Sequence, residues 1–288
     1  MTALDWVVVA TYLVGLLLLA LYLGRRQHSR SDYYLAGRHM PGWALATSIL
    51  ATQCSTNSLL GAPAFVGFTV AGGLIWLQYE LAVPLAMLGL AFLFPAVHRS
   101  GVISIYGFLE QRLDRSVRLT ASACFLFFRG IATGVTVYGV TSVLSLVTGL
   151  DYLTSVLLFM GVTIAYDVMG GMRAVVISDV LQMLLLVTAV LVSLWWLWPF
   201  MVDNSVSLGE RSETLLWDWG LTGDRNFGFW PMLFGGLFLY MAYYGCDQSQ
   251  AQRLLAARDP EALNRIWLYN GMLRFPLVAA YCLLGLGL

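Results

Sequence analysis

Eight long apolar runs constrain this chain more than any other feature. They read at about Leu4–Leu23, Gly42–Phe68, Gly73–Val97, Leu119–Thr148, Tyr152–Met169, Ala174–Phe200, Phe229–Ala251 and Ile266–Leu288. A helix needs roughly 20 apolar residues to cross a bilayer, so each run is a candidate span. Charged residues make up only 11% of the 288, and the mean hydropathy is +0.75. Soluble domains usually carry about 25% charge and could not cover their surface with so little. The reading is an all-α integral membrane protein, and a nucleic-acid binder or soluble enzyme is excluded. The first run lacks a basic leader and a small-residue cleavage site, so it reads as an uncleaved anchor.

The arginines orient the spans. Twelve fall in alternate loops, from Arg25 to Arg265, against Arg211 and Arg225 in the opposite ones. That asymmetry places the N-terminus outside, and the Met201–Gly228 segment becomes an external loop. The Tyr106–Arg118 stretch reads as one short amphipathic helix on the cytoplasmic face. Four cysteines (Cys54, Cys124, Cys246, Cys282) lie in apolar runs without a CxxC pair and read as buried small side chains. The three histidines lie in or beside loops, which excludes a membrane haem.

Polar groups at membrane depth carry the functional signal. Between Ala51 and Leu60 the second run packs Thr52, Gln53, Ser55, Thr56, Asn57 and Ser58, with Gly61 and Pro63 following. Such a patch fits a discontinuous helix whose freed carbonyls hold a cation while side chains hold solute. Polar contacts between packed helices are the competing explanation. A second break is expected in the seventh run, from Gly235-Gly236, Gly245 and the polar stretch Tyr240–Gln252. Arg129 and Arg274 also lie in apolar runs. Each either meets an anionic solute group through its guanidinium fork or is internally satisfied, Arg129 by Glu80 and Arg274 by snorkelling. Asp179 and Gln182, one turn apart, read as a polar pair at a helix start.

Several strings resemble one family. Tyr33-Tyr34-Leu35-Ala36-Gly37-Arg38, Ile105-Tyr106-Gly107-Phe108-Leu109-Glu110-Gln111-Arg112, and Gly170-Gly171-Met172-Arg173-Ala174-Val175-Val176 with Ser178-Asp179 and Gln182 look like the sodium:solute symporters. So does Tyr243–Gln250 with Gln252-Arg253 and Leu254-Leu255-Ala256-Ala257. The anion and monocarboxylate branch is the nearest in pattern, and the resemblance runs from about residue 4 to 288. It implies the leucine-transporter fold, with two inverted five-helix repeats behind one extra helix. Here 4–23 would be the extra helix, 42–200 the first repeat, and 229–288 the opening two helices of the second.

The resemblance further implies sodium-coupled symport of a small organic solute, with a carboxylate weakly favoured, by a multi-pass plasma-membrane protein. Sodium would be the coupling ion, with no cofactor and no enzymatic activity. Ala51 and Cys54 would offer backbone carbonyls to sodium. Asn57, Ser58, Glu80, Arg129 and Arg274 would contact the solute, Tyr243 would form an inner gate, and Asp179 would flank the sodium path. In the family, paired hydroxyl ligands for the same ion lie on a later helix. A fragment of a longer transporter, or a degenerate half, is therefore expected. The alternative from another class is the solute-sensing membrane domain of a signalling protein.

Overall fold

A computed structural model of the chain describes residues 2–25, 27–54, 56–69, 72–203, 214, 215, 217 and 227–287, and the backbone alone at 56, 57 and 203. Ser55 and most of the 201–228 segment, with Arg211 and Arg225, lie outside the described residues.

Helix starts follow local capping chemistry. Helix α1 (Ala3–Gly24) opens on a reciprocal box, in which Thr2 accepts from the Asp5 N–H and donates its own N–H to the Asp5 carboxylate at 2.6 Å. The short α2 (Arg30–Leu35) repeats this with Ser29 and Asp32. There the Ser29 hydroxyl holds the Asp32 carboxyl below its usual range. After α3 (Gly42–Gln53), α4 (Thr56–Phe68), α5 (Trp76–Glu80) and α6 (Ala82–Arg99), helix α7 (Ile105–Arg112) is capped by Ser104 and α8 (Arg115–Thr148) by Asp114. The expected single helix over Tyr106–Arg118 is therefore two. Leu113 leaves helical geometry at φ −123°, ψ −103°, and Glu110 pairs with Arg118 across the corner.

The fifth and sixth runs form one element, α9 (Tyr152–Asp203), interrupted at Gly171. That residue sits at φ +57°, ψ −169°, a backbone region open essentially to glycine alone. A Cβ there would also stand 2.7 Å from Gln27 Oε1 and 3.0 Å from the Tyr33 ring. Then come α10 (Phe229–Cys246), α11 (Gln248–Leu255) and α12 (Pro260–Leu286), the last started by Asp259 and by proline at its first turn.

All eight apolar runs are thus helical. Ala3–Gly24, Gly73–Arg99, Arg115–Thr148 and Tyr152–Val202 are each long and apolar enough to cross a bilayer singly. The second and seventh runs are broken, the second into α3 and α4 and the seventh into the apolar α10 and the short polar α11. Helix α12 packs against α3, α4 and α6, α10 against α6, and α1 against α9. The core lies where these meet, around Leu45, Ile49, Ala82, Ala86, Tyr244, Leu254 and Ile266. By contrast Thr141 is the single buried residue of α8. Trp195, Trp196 and Trp198 stand exposed near the end of α9, as interfacial anchors do. Of the cysteines, Cys282 is buried as expected, whereas Cys124 and Cys246 sit on exposed helix faces.

Candidate functional site

Two helix breaks organise the interior. The first is at Cys54, where φ −78°, ψ 62° ends α3. Its N–H reaches the carbonyls of Leu50 and Ala51, each at 3.1 Å, so the last turn tightens. Across the break the Ser58 hydroxyl donates to the Gln53 carbonyl at 3.2 Å. The second is at Asp247, in extended geometry between α10 and α11. It lies inside the polar stretch that announced it, but α10 runs unbroken through Gly235-Gly236. Gly236 serves packing instead, because a Cβ there would stand 2.9 Å from Ala82 Cβ and 3.0 Å from the Tyr79 ring.

Beside the first break lies a cavity of about 640 Å³. Its wall comes from Gln53, Ser58 and Ala62 beside the first break, Trp76, Tyr79 and Glu80 of α5, the α10 face from Pro231 to Tyr243, and Arg274, Val278 and Tyr281 of α12. The aromatic side is continuous, with Tyr79 and Tyr240 centroids 5.1 Å apart and Trp76 and Tyr79 6.2 Å apart. Set into it is one buried ion pair. Arg274 Nε donates to Glu80 Oε2 at 2.9 Å, and its Nη2 reaches Glu80 Oε1 at 3.4 Å. The Tyr240 hydroxyl accepts from Arg274 at 3.3 Å and donates to Glu80 at 2.9 Å. The guanidinium also lies 5.3 Å from the Tyr240 ring centroid, within cation–π range.

A second charged cluster lies outside the cavity wall. Arg253 of α11 donates to Asp179 of α9 at 2.9 Å and to the Ser48 hydroxyl of α3 at 2.7 Å, while Ser48 donates to Asp179. A further Arg253 nitrogen donates to the Ser249 carbonyl at 2.5 Å. One turn away, Asp247 accepts from the Ser249 N–H at 2.8 Å as the α11 cap and receives Arg129 of α8 at 2.9 Å. The rest of the motif ties neighbouring segments. Gln248 accepts from the Ile105 N–H at 3.1 Å, and Gln252 donates to the Tyr34 carbonyl at 2.9 Å. The Tyr106 hydroxyl donates to the Cys246 carbonyl at 3.3 Å, and burial pushes it up to about 12.

The structure therefore brings together Ser58, Glu80, Tyr243 and Arg274 around one cavity, with Ala51 and Cys54 at the break beside it. Asn57 lies in the first turn of α4, but its side chain is outside the described residues. Arg129 does not join them. Its expected partner Glu80 is taken by Arg274, and Arg129 pairs with Asp247 at the second break. Neither guanidinium is a free anion receptor, since each already holds a carboxylate. Asp179, expected as a helix-start polar group, is nine-tenths buried against Arg253. Gln53, Trp76 and Tyr240 line the cavity without having been singled out. Gln53 and Tyr240 carried a signal, as members of the polar patch and of the Tyr240–Gln252 stretch, whereas Trp76 read as an ordinary apolar-run residue.

The model of the sodium:solute symporter family matches residues 33–207. The human sodium/iodide cotransporter is 27% identical, over 90% of this chain and 41% of its own. The sodium/sialic acid symporter of Proteus mirabilis is 28% identical, over 93% of this chain and 55% of its own. The chain thus spans about half the length of the curated relatives it matches. A solved Na+-coupled sialic acid symporter, substrate-bound and outward-open, superposes with a TM-score of 0.87 at 24% identity, covering 99% of this chain and 60% of that one. That likeness makes the helical arrangement the fold of this transporter class. The chain belongs to the sodium:solute symporter family.

Proposed function

We propose that the protein takes part in sodium-coupled symport of a small organic solute by alternating access. The cavity at the α3/α4 break carries this reading, because it sets the helix-end carbonyls of the break, each with a second lone pair, beside a polar and aromatic wall in a chain of this family. Sodium binds at the break through the backbone carbonyls of Ala51 and Cys54. The solute occupies the cavity against Ser58, Glu80 and Arg274, with Asn57 on the adjoining turn. Tyr243, fourteen residues down α10 and so about 21 Å from its start, forms the floor and inner gate. Asp179 stands on the path by which sodium leaves.

The protein is placed in the plasma membrane, multi-pass, with its N-terminus outside, as the arginine asymmetry supports. Residues 42–200 then form the first repeat, preceded by the extra helix 4–23, and 229–288 open the second. In that orientation the cavity faces outward. The Arg253–Asp179 and Arg129–Asp247 pairs close the cytoplasmic side, and they must part for the solute to leave past Tyr243.

The relatives named above carry iodide and sialic acid, and further relatives carry monocarboxylates and vitamins. They support sodium as the coupling ion. The test is solute-stimulated entry of labelled sodium into vesicles bearing the full-length gene product. Stimulation is expected, and solute entry that ignores sodium would refute the coupling.

A further inference from the structure

We infer that the groove between α6 and α12 holds one anionic glycerophospholipid, its acyl chain in the groove, an ester carbonyl on Trp267 and its phosphate beside Arg99 and Arg258. The groove shares no lining residue with the solute cavity. Its volume is about 690 Å³, and its wall is built mainly from Met87, Leu88 and Phe92 of α6 with Trp267, Leu268 and Met272 of α12. Leu88, Phe92, Leu268 and Met272 are exposed, so in a membrane-spanning chain the groove opens sideways to lipid. At its floor Gly271 lets the helices approach, since a Cβ there would stand 3.6 Å from Met87 Cγ and 3.7 Å from Pro84 Cα. The unbranched thioethers of Met87 and Met272 adapt readily to a flexible chain.

Trp267 sets the first polar requirement. It is 2% exposed, and its indole N–H is buried without a partner. The Phe94 and Tyr244 rings pack edge-on against it, with centroids 5.9 and 6.5 Å away. A buried donor needs an acceptor, and the groove that Trp267 lines is where one can arrive. A further membrane helix laid there would bring carbonyls already bonded within itself. A lipid ester brings a free one. Trp267 lies seven residues past Pro260, about 10 Å along α12, near the depth where headgroups give way to acyl chains.

The charge at the end of the groove fits an anionic head. His98 Nε2 lies 2.9 Å from the Ala257 oxygen, which pins the end of α6 to the turn before α12. Arg99 and Arg258, the next residue in each case, therefore share that corner. Both are exposed, and among the described residues neither has an ion pair. The carboxylates nearby are engaged, Asp259 in capping the Ala262 N–H at 2.7 Å and Glu261 facing Arg265 at 3.8 Å. Three arginines against two carboxylates leave the corner positive, and guanidinium forks match phosphate oxygens. In the orientation proposed above this corner is cytoplasmic, so the lipid comes from the inner leaflet.

Such a lipid would also bear on the solute cavity. Helix α6 follows directly on α5, which carries Glu80, and Arg274 lies one turn beyond Gly271 on α12. A molecule bridging α6 and α12 steadies the two elements that hold the cavity's ion pair.

The experiment uses the full-length product in mild detergent with phosphatidylglycerol carrying a diazirine in one acyl chain. After irradiation and digestion, label is expected on residues 84–92 and 264–272. Unlabelled phosphatidylglycerol should displace it at least about fivefold more effectively than phosphatidylcholine. Absence of label from both segments, as when a downstream helix covers the groove, overturns the proposal. So does equal displacement by the two lipids.

Three variants assign the contacts. Arg99→Gln with Arg258→Gln should bring the two lipids to near parity. Trp267→Phe keeps the ring, removes the N–H and should weaken labelling about threefold. Leu268→Trp fills the groove from its exposed rim without touching the core, and it should abolish the label on α12. A folded R99Q/R258Q protein with the parent's preference, or W267F or L268W labelled as strongly as the parent, contradicts the inference.

Discussion

The cavity pair and the inner pairs use the same chemistry in different settings. Glu80 and Arg274 join α5 to α12, two elements already packed on each other, and their side chains are 2% and 7% exposed. Arg129 and Asp247 join α8, almost wholly exposed, to the break below α10, and the arginine is 35% exposed. Arg253 and Asp179 stand between, buried but spanning α11 and α9. A pair inside one packed group shapes a permanent surface. A pair bridging loosely packed groups can open at little cost, and that suits a gate. Burial decides how much each contributes, because removing one member of a buried pair strands the other charge away from water.

The largest expected effect is therefore at the cavity. Glu80→Ala strands Arg274 and should destabilise the protein by about 3–5 kcal/mol, read as a lowered unfolding midpoint in detergent. A midpoint unchanged from the parent would dissolve the contrast with the inner pairs. Next is Asp179→Asn, which keeps the shape but removes the charge facing Arg253. It should cost about 2–3 kcal/mol, since Ser48 and Ser249 still hold the guanidinium. It should also raise labelling of the half-buried Cys54 at the first break by a cytoplasmic thiol reagent as the inner side opens. Equal labelling in parent and variant would remove Asp179 from the gate.

Arg129→Gln should cost less than either, because Asp247 keeps its capping bonds to Ser249 and is not left without partners. A loss as large as that of Glu80→Ala would show that exposure does not rank the pairs. The smallest effect belongs to Asp32, whose folded-state carboxyl is held low by Ser29. Its contribution is complete above its ordinary value near 3.8 and fades as pH falls through the lowered one. Ser29→Ala should flatten stability against pH in that acid window and leave neutral pH little changed.

The same contrast governs what could be read from residues alone. The helices of the apolar runs were legible because hydrophobic runs are local. The break at Cys54 was legible because six hydrogen-bonding residues at membrane depth cannot face lipid. The partners of the membrane-depth charges were not. Arg274 meets a residue 194 positions away and Arg129 one 118 away, and no local pattern chooses between Glu80 and Asp247 as their mates. Gly235-Gly236 misled for a physical reason, since small residues at a close helix contact look the same in sequence as small residues at a break. At Gly171 the run of Gly170-Gly171 marked a corner, and its backbone shows why only glycine serves there.

The central claim is that a sodium gradient drives solute through the cavity past the inner pairs. It is tested most directly by concentrative uptake of labelled solute into proteoliposomes carrying the full-length product, parent beside Asp179→Asn. The account predicts accumulation above the external concentration only with sodium outside, and equilibration without accumulation in the variant. Equal accumulation with choline in place of sodium, or a variant as concentrative as the parent, would contradict it.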